Sequence, residues 1–215
     1  MKTKRIKVIK KGQTKRLKKS KIKRKGIKRK SKRKTKNSVY NKNDYKSGDG
    51  MLTSVWGPSL WHYLHTMSFN YPVCPSSKEK KKYKNFIMSL NDVLPCKYCR
   101  INMKKNLKAV PLNNKALKNR TNFSKWMYCL HEHINKMLKK KSGLSYCDVR
   151  ERYENFRARC SKKEIKKRLN KTLKKKEKGC VDPLYGKKTK CIIRIIPKEV
   201  KTPTLKIDKK CKKFN

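Results

Sequence analysis

The chain has 215 residues, with 66 Lys or Arg against 13 Asp or Glu and a net charge of +53. At that self-repulsion, 35% apolar residues cannot order the whole length, which excludes one core spread from end to end. No run of 18 apolar residues occurs, which excludes a transmembrane helix, and the start lacks the charged-then-apolar pattern of a secretory signal.

The charge divides the chain into three parts. Residues 1–50 carry +21, residues 51–160 carry +16 and residues 161–215 carry +16. The middle part holds every Trp and His, four of the five Phe and six of the nine Cys, so the folded domain is expected at 51–160. Residues 1–50 are a like-charge block, expected to be a disordered tail. Phosphates would neutralise it, which points to sequence-independent binding of nucleic acid. The plainer alternative is a solubilising tail. Within the basic extension at 161–215, Ile165, Leu169 and Leu173 suggest a helix over 161–178. CIIRII at 191–196 has the β-branched content of one short strand.

Within 51–160 the periodicity is helical, and the fold class expected is all-α: a four-helix bundle plus a short fifth helix. The first helix spans 54–70, with Ser54 at its start, Pro58 in the first turn, and Leu60, Leu64 and Met67 at helical spacing. Trp61 and His65 form a neighbouring i, i+4 row. The second spans 77–94, capped by Ser77, with Tyr83, Phe86, Ile87, Leu90, Val93 and Leu94 inward. The third runs from Cys96 to about Leu107 and is closed by Pro111. The fourth runs from about Asn122 to Lys141, with three lysines in its last turn and Gly143 ending it. The fifth covers about Cys147 to Phe156.

Nine cysteines without a secretory signal need a chemical reason. Cys96 and Cys99 form a CxxC directly after Pro95, at a helix start. There the positive end of the helix dipole, Lys97 and Arg100 should favour a thiolate. The motif alone fits redox chemistry or zinc equally. For zinc, His131 and His133 are the available partners, but two residues apart on a helix they point about 200° apart. No metal site is therefore assigned. His131 and Asn135 do share a face. Two helices that each set a polar group beside aromatic surface suit a flat heteroaromatic cofactor. The lysines 139–141 would serve its phosphates, or simply form a solvated helix end.

WGPSLWHYLHTMSFNYP (56–72), LPCKYCR (94–100) and SKWMYCLHEHINKML (124–138) together resemble the Erv/ALR family of FAD-dependent sulfhydryl oxidases. The resemblance spans about residues 51–160. It implies a helical bundle, often dimeric, around FAD. It makes Cys96 and Cys99 the catalytic pair, and Trp61, His65, His131, Asn135 and Lys140 the cofactor-binding residues. Glu132 stands where the family has Asn, and Lys139 where Gly is common. The implied activity is a thiol oxidase that makes disulfides in cysteine-containing substrate proteins. Its electrons go through FAD to molecular oxygen, which yields hydrogen peroxide. The family also carries a closing structural disulfide, for which Cys147 and Cys160 are the candidates. A straight helix between them would exceed disulfide reach. Cys180, Cys191 and Cys211 are either a relay arm or incidental thiols. Composition resembles the oxidases of large cytoplasmic DNA viruses, which implies a virion or host-cytoplasm (viral factory) location, with the mitochondrial intermembrane space as alternative. The rival function is a basic nucleic-acid-packaging protein with a helical scaffold. Charge supports that rival but does not account for the Trp, His and CxxC set.

Overall fold

The computed structural model describes residues 41–160 and 179–213. The helix expected over 161–178 and most of the N-terminal tail lie outside the described residues. The tail does not run to residue 50, however. A short helix, α1 (Lys42–Lys46), is followed by a segment in which Gly50 forms an antiparallel bridge with Cys96.

Four helices build the bundle: α2 (Thr53–Phe69), α3 (Ser77–Val93), α4 (Lys97–Ala109) and α5 (Arg120–Met137). A fifth, α6 (Tyr146–Glu154), packs across α2 and α5. Helix α2 packs on α5, and α3 on α4. The core holds Leu64, Ile87, Leu90, Met103, Leu107, Phe123, Trp126, Met127 and Leu130. Residues 111–119, between α4 and α5, also enter it through Leu112, Ala116 and Leu117. The buried Tyr71 hydroxyl donates to the Leu117 carbonyl at 3.0 Å, which closes that connection. Among the described residues no helix is long and apolar enough to cross a membrane.

Helix ends depart from expectation where side chains close backbone bonds. Ser76, not Ser77, caps α3: its hydroxyl accepts from the Glu79 N–H while the Glu79 carboxylate accepts from the Ser76 N–H. Ser145 and Asp148 form the same box at α6. Helix α2 starts at Thr53 with no side-chain cap. Pro58 thus falls in the second turn, where its missing N–H removes the bond to the Ser54 carbonyl. On α3 the buried row is Ile87, Leu90 and Leu94, with Tyr83 half-buried. Phe86 and Val93, expected inward, are 36% and 66% exposed because they sit one position off that row.

Helix α5 ends at Met137, so the lysines 139–141 lie beyond it rather than in its last turn. Lys139 takes φ 54°. Its N–H donates to the Lys136 carbonyl and that of Lys140 to the Asn135 carbonyl, a Schellman turn.

After α6, β1 (Ala158–Cys160) pairs antiparallel with β2 (Cys180–Pro183), and a disulfide joins Cys160 to Cys180. Residues 191–196, expected as a strand, have no regular structure. One such segment cannot make a sheet alone, and Ile192, Ile193 and Ile195 remain exposed. Cys147 is an exposed free thiol, so the pairing considered between Cys147 and Cys160 does not form.

Candidate functional site: a disulfide beside a ring cluster

Cys96 and Cys99 are bonded to each other at the start of α4, with Cα atoms 5.1 Å apart. Cys96 is the helix N-cap, and its sulfur accepts the Cys99 N–H at 3.2 Å. Cys99 packs against the hydrophobic core and lies 3.9 Å from the Thr53 hydroxyl, over the first turn of α2. The two nearby cations do not serve the sulfurs as expected. The Lys97 ammonium is paired with Asp49 at 3.3 Å. The Arg100 guanidinium donates to the Leu94 carbonyl at 2.6 Å and the Gly48 carbonyl at 3.1 Å. Lys97 therefore holds a carboxylate and Arg100 holds backbone. Among the described residues no three His, Cys, Asp or Glu side chains converge as metal ligands.

Two turns further along α2, roughly 12 Å by helical rise, stands a cluster of rings. Trp61 stacks on His131 of α5, with centroids 3.8 Å apart and planes 4° from parallel. The His65 Nε2 and His131 Nδ1 atoms share a hydrogen bond at 3.0 Å. The residues expected to flank a planar guest are thus brought together, but Trp61 and His131 lie directly on each other. No space remains between those two rings. A planar group has to lie against an outer face of the stack or part the pair.

Four further rings complete the cluster. Tyr153 of α6 stacks on His65 and on Phe69, and His62 meets Tyr153 and Phe156. None of His62, Phe69, Tyr153 and Phe156 is among the residues that the sequence marks for this site. The available signal was the His62 and His65 pair, three apart on one helix face.

Burial fixes the protonation of this cluster. Desolvation pushes His65 down to about 3, helped by His131 and His62, and pushes His131 down to about 4. Both imidazoles are neutral at pH 7. Burial also pushes Tyr153 up to about 12. The Nδ1 atoms of His62 and His65 are buried without a hydrogen-bond partner, a state that costs free energy and suits an incoming polar edge.

Asn135 and Lys140 extend the site along α5. The Asn135 amide donates to Glu132 at 2.9 Å, so the residue that departs from the family's Asn takes up one Asn135 donor. Lys140 is exposed, and its charge helps to depress His131.

Neutral imidazoles, flat aromatic surface, two unsatisfied ring nitrogens and a cationic end fit a flavin dinucleotide chemically. The cleft beside α6, about 310 Å³ and lined by Cys147, Asp148, Arg150 and Asn155 among others, is a separate feature that these rings do not line.

The remaining described cysteines stand apart from both groups. Cys129 is exposed on α5, as are Cys74 and Cys191 in their loops; Cys211 is half-buried.

The model of the Erv1 / Alr family matches residues 58–157. A mimivirus protein named "Probable FAD-linked sulfhydryl oxidase R368" is 35% identical over 104 residues, which cover 48% of this chain and 72% of that protein. An African swine fever virus "FAD-linked sulfhydryl oxidase" is 32% identical over 99 residues, 46% of this chain and 80% of that one. The yeast "Mitochondrial FAD-linked sulfhydryl oxidase ERV1" is 29% identical over 96 residues, 45% of this chain and 49% of that protein. Among solved structures, the FAD binding domain of yeast Erv1 aligns at 26% identity and a TM-score of 0.42, covering 48% of this chain and 94% of that one. On the family match and the viral relatives, this chain belongs to the Erv1 / Alr family.

Proposed function

We propose that the chain is a FAD-dependent thiol oxidase that introduces disulfides into cysteine-containing proteins. The observation that carries this reading is the Cys96–Cys99 disulfide at a helix N-terminus, in a family-matched domain that also holds the neutral ring cluster. Trp61, His65, His131, Asn135 and Lys140 are the residues that would hold FAD. Rings would stack on the isoalloxazine or adenine, unsatisfied ring nitrogens would meet polar edges, and Lys140 would face phosphate. Bound FAD supplies two-electron acceptance from a dithiol and delivery to oxygen, giving hydrogen peroxide.

The chain's own residues account for the thiol steps. A substrate thiolate attacks the Cys96 sulfur, forming a substrate–Cys96 disulfide and releasing the Cys99 thiolate. The second substrate thiolate then attacks the substrate sulfur of that bond. Substrate leaves as a disulfide, and Cys96 leaves as a thiolate that the Cys99 N–H and the helix dipole stabilise. Two electrons now reside on the Cys96 and Cys99 dithiol. Attack at Cys96 is favoured because Cys99 is packed on the core beside Thr53.

Purified protein is expected to be yellow and to consume oxygen when given dithiothreitol. A folded protein that binds no flavin and consumes no oxygen overturns the reading. The exposed contact pair Tyr63 and Phe86, on α2 and α3, supports a homodimer, which light scattering would detect as twice the chain mass. A net charge of +21 on residues 1–50 supports a second, compatible role, non-specific tethering to nucleic acid. Together with the viral relatives, it supports placement in the virion or the viral factory. Salt titration of DNA binding checks the tether, since a salt-independent affinity removes it.

A further inference from the structure

The end of the presumed tail is built into the redox centre. Gly50 bridges to Cys96. The Met51 N–H donates to the Pro95 carbonyl and the Lys97 N–H to the Asp49 carbonyl, each at 2.7 Å. The Ser47 hydroxyl donates to the Asp49 carboxylate at 2.8 Å, the Lys97 ammonium meets its other oxygen, and Arg100 reaches across to the Gly48 carbonyl. The approach is close enough to demand glycine. Gly50 has φ +141°, and a Cβ there would lie 2.6 Å from the Cys96 Cα and 2.8 Å from the Pro95 carbonyl oxygen. Both are backbone atoms, so no side-chain rotation relieves the contact.

This arrangement acts on the disulfide in two ways. Lys97 is the first residue of α4, and Asp49 satisfies its otherwise orphaned N–H. The N–H left facing the Cys96 sulfur is that of Cys99. The Asp49 carboxylate also takes the nearest ammonium. Releasing the segment would free one N–H and one positive charge for a Cys96 thiolate, favouring the reduced couple. It would also loosen the backbone that holds the two sulfurs together, which again favours the dithiol.

We propose that residues 48–51 are a positioning strap that fixes Cys96 as the N-cap of α4 and sets the thiol–disulfide equilibrium of the Cys96–Cys99 couple, with Gly50 and Asp49 as its positioning residues. The proposal rests on the oxidase reading, but its test does not depend on flavin. The full chain is equilibrated in glutathione buffers, where the couple and two glutathione thiols exchange for a dithiol and one glutathione disulfide. The reduced fraction of Cys96 and Cys99 is read by alkylation and peptide mass. Gly50→Val shifts the equilibrium about tenfold toward dithiol, equivalent to about 30 mV. Asp49→Asn shifts it about threefold the same way, and Asp49→Glu restores it. Hydrogen exchange at the Met51 and Lys97 amides reports whether the strap has been released. Released amides with an equilibrium within twofold of the unaltered chain overturn the proposal, as does a shift toward disulfide. Should Gly50→Val not fold, an unchanged equilibrium in Asp49→Asn overturns it instead. A protein that never binds flavin defeats the oxidase reading alone, since the glutathione equilibrium is still measured.

Discussion

The two ends of the site differ in how their polar groups are satisfied. Around Cys96, the Met51 and Lys97 amides, the Gly48 and Asp49 carbonyls, the Lys97 ammonium, the Arg100 guanidinium and the N-cap sulfur have partners. Around His65, two buried ring nitrogens have none, and both central imidazoles are held neutral by burial. The first arrangement holds a reacting bond in one geometry. The second keeps polar capacity unspent within aromatic surface, as a binding site for a flat polar-edged ligand requires. The difference teaches that reaction and cofactor binding place opposite demands on one small bundle: closure at the sulfur end, tolerance of unmet polarity at the ring end.

The largest expected effect tests the closed end. Cys99→Ser should cut turnover with dithiothreitol by more than ~100-fold while the yellow colour remains, because it removes a bond partner and leaves the rings alone. Loss of colour together with turnover would show that the two ends are not separable.

Acid tests the open end. The unfolded chain protonates both histidines below about pH 6.5, whereas the folded chain resists until about 4 for His131 and about 3 for His65. Between those values the unfolded state binds more protons, so the two histidines' contribution to stability falls as pH drops from 6.5 and levels off below 3. At ~1.4 kcal/mol for each pH unit between those values, the two histidines together account for a loss of at most about 8 kcal/mol. Urea unfolding across that range measures it, and His131→Phe should flatten the slope while keeping a ring against Trp61.

A smaller effect concerns the second disulfide. Cys160 and Cys180 are separated by 20 positions, and both are exposed. Closing a loop of that size contributes about 3 kcal/mol, chiefly by restricting the unfolded chain. Replacing both with Ser should lower stability by about that much and leave thiol-oxidase turnover within twofold. A collapse of turnover would make this bridge a participant in electron transfer.

Helical periodicity was enough to read the bundle, and the Trp61, His65 and His131 spacing was enough to bring those rings together. The strap was hidden for a physical reason. Its residues are Gly, Asp, Gly and Met at the end of a lysine-rich block, and Asp49 meets Lys97 across 48 positions. No local pattern encodes such a bridge. The direct stacking of Trp61 on His131 was equally illegible, since spacing gives the face of a helix and not the distance between facing rings. The Cys160–Cys180 pairing could not be deduced from spacing, because cysteine counts do not specify connectivity.

The smallest effect sits where α5 ends beside the rings. Lys139 holds a left-handed conformation at φ 54°, where an L side chain costs about 1 kcal/mol and glycine costs nothing. Glycine also loosens the unfolded chain, which offsets roughly half of the gain. Lys139→Gly should therefore stabilise the fold by about 0.5 kcal/mol, seen as a higher urea midpoint at unchanged slope. Lys139→Ala, which keeps a Cβ, should gain nothing. The turn itself survives, because its two bonds come from the backbone N–H groups of residues 139 and 140. Lys140 then keeps its backbone geometry, and flavin affinity should stay within twofold. A weaker affinity in a more stable protein would assign the phosphate-side charge to Lys139 rather than Lys140, and would extend the open end of the site by one residue.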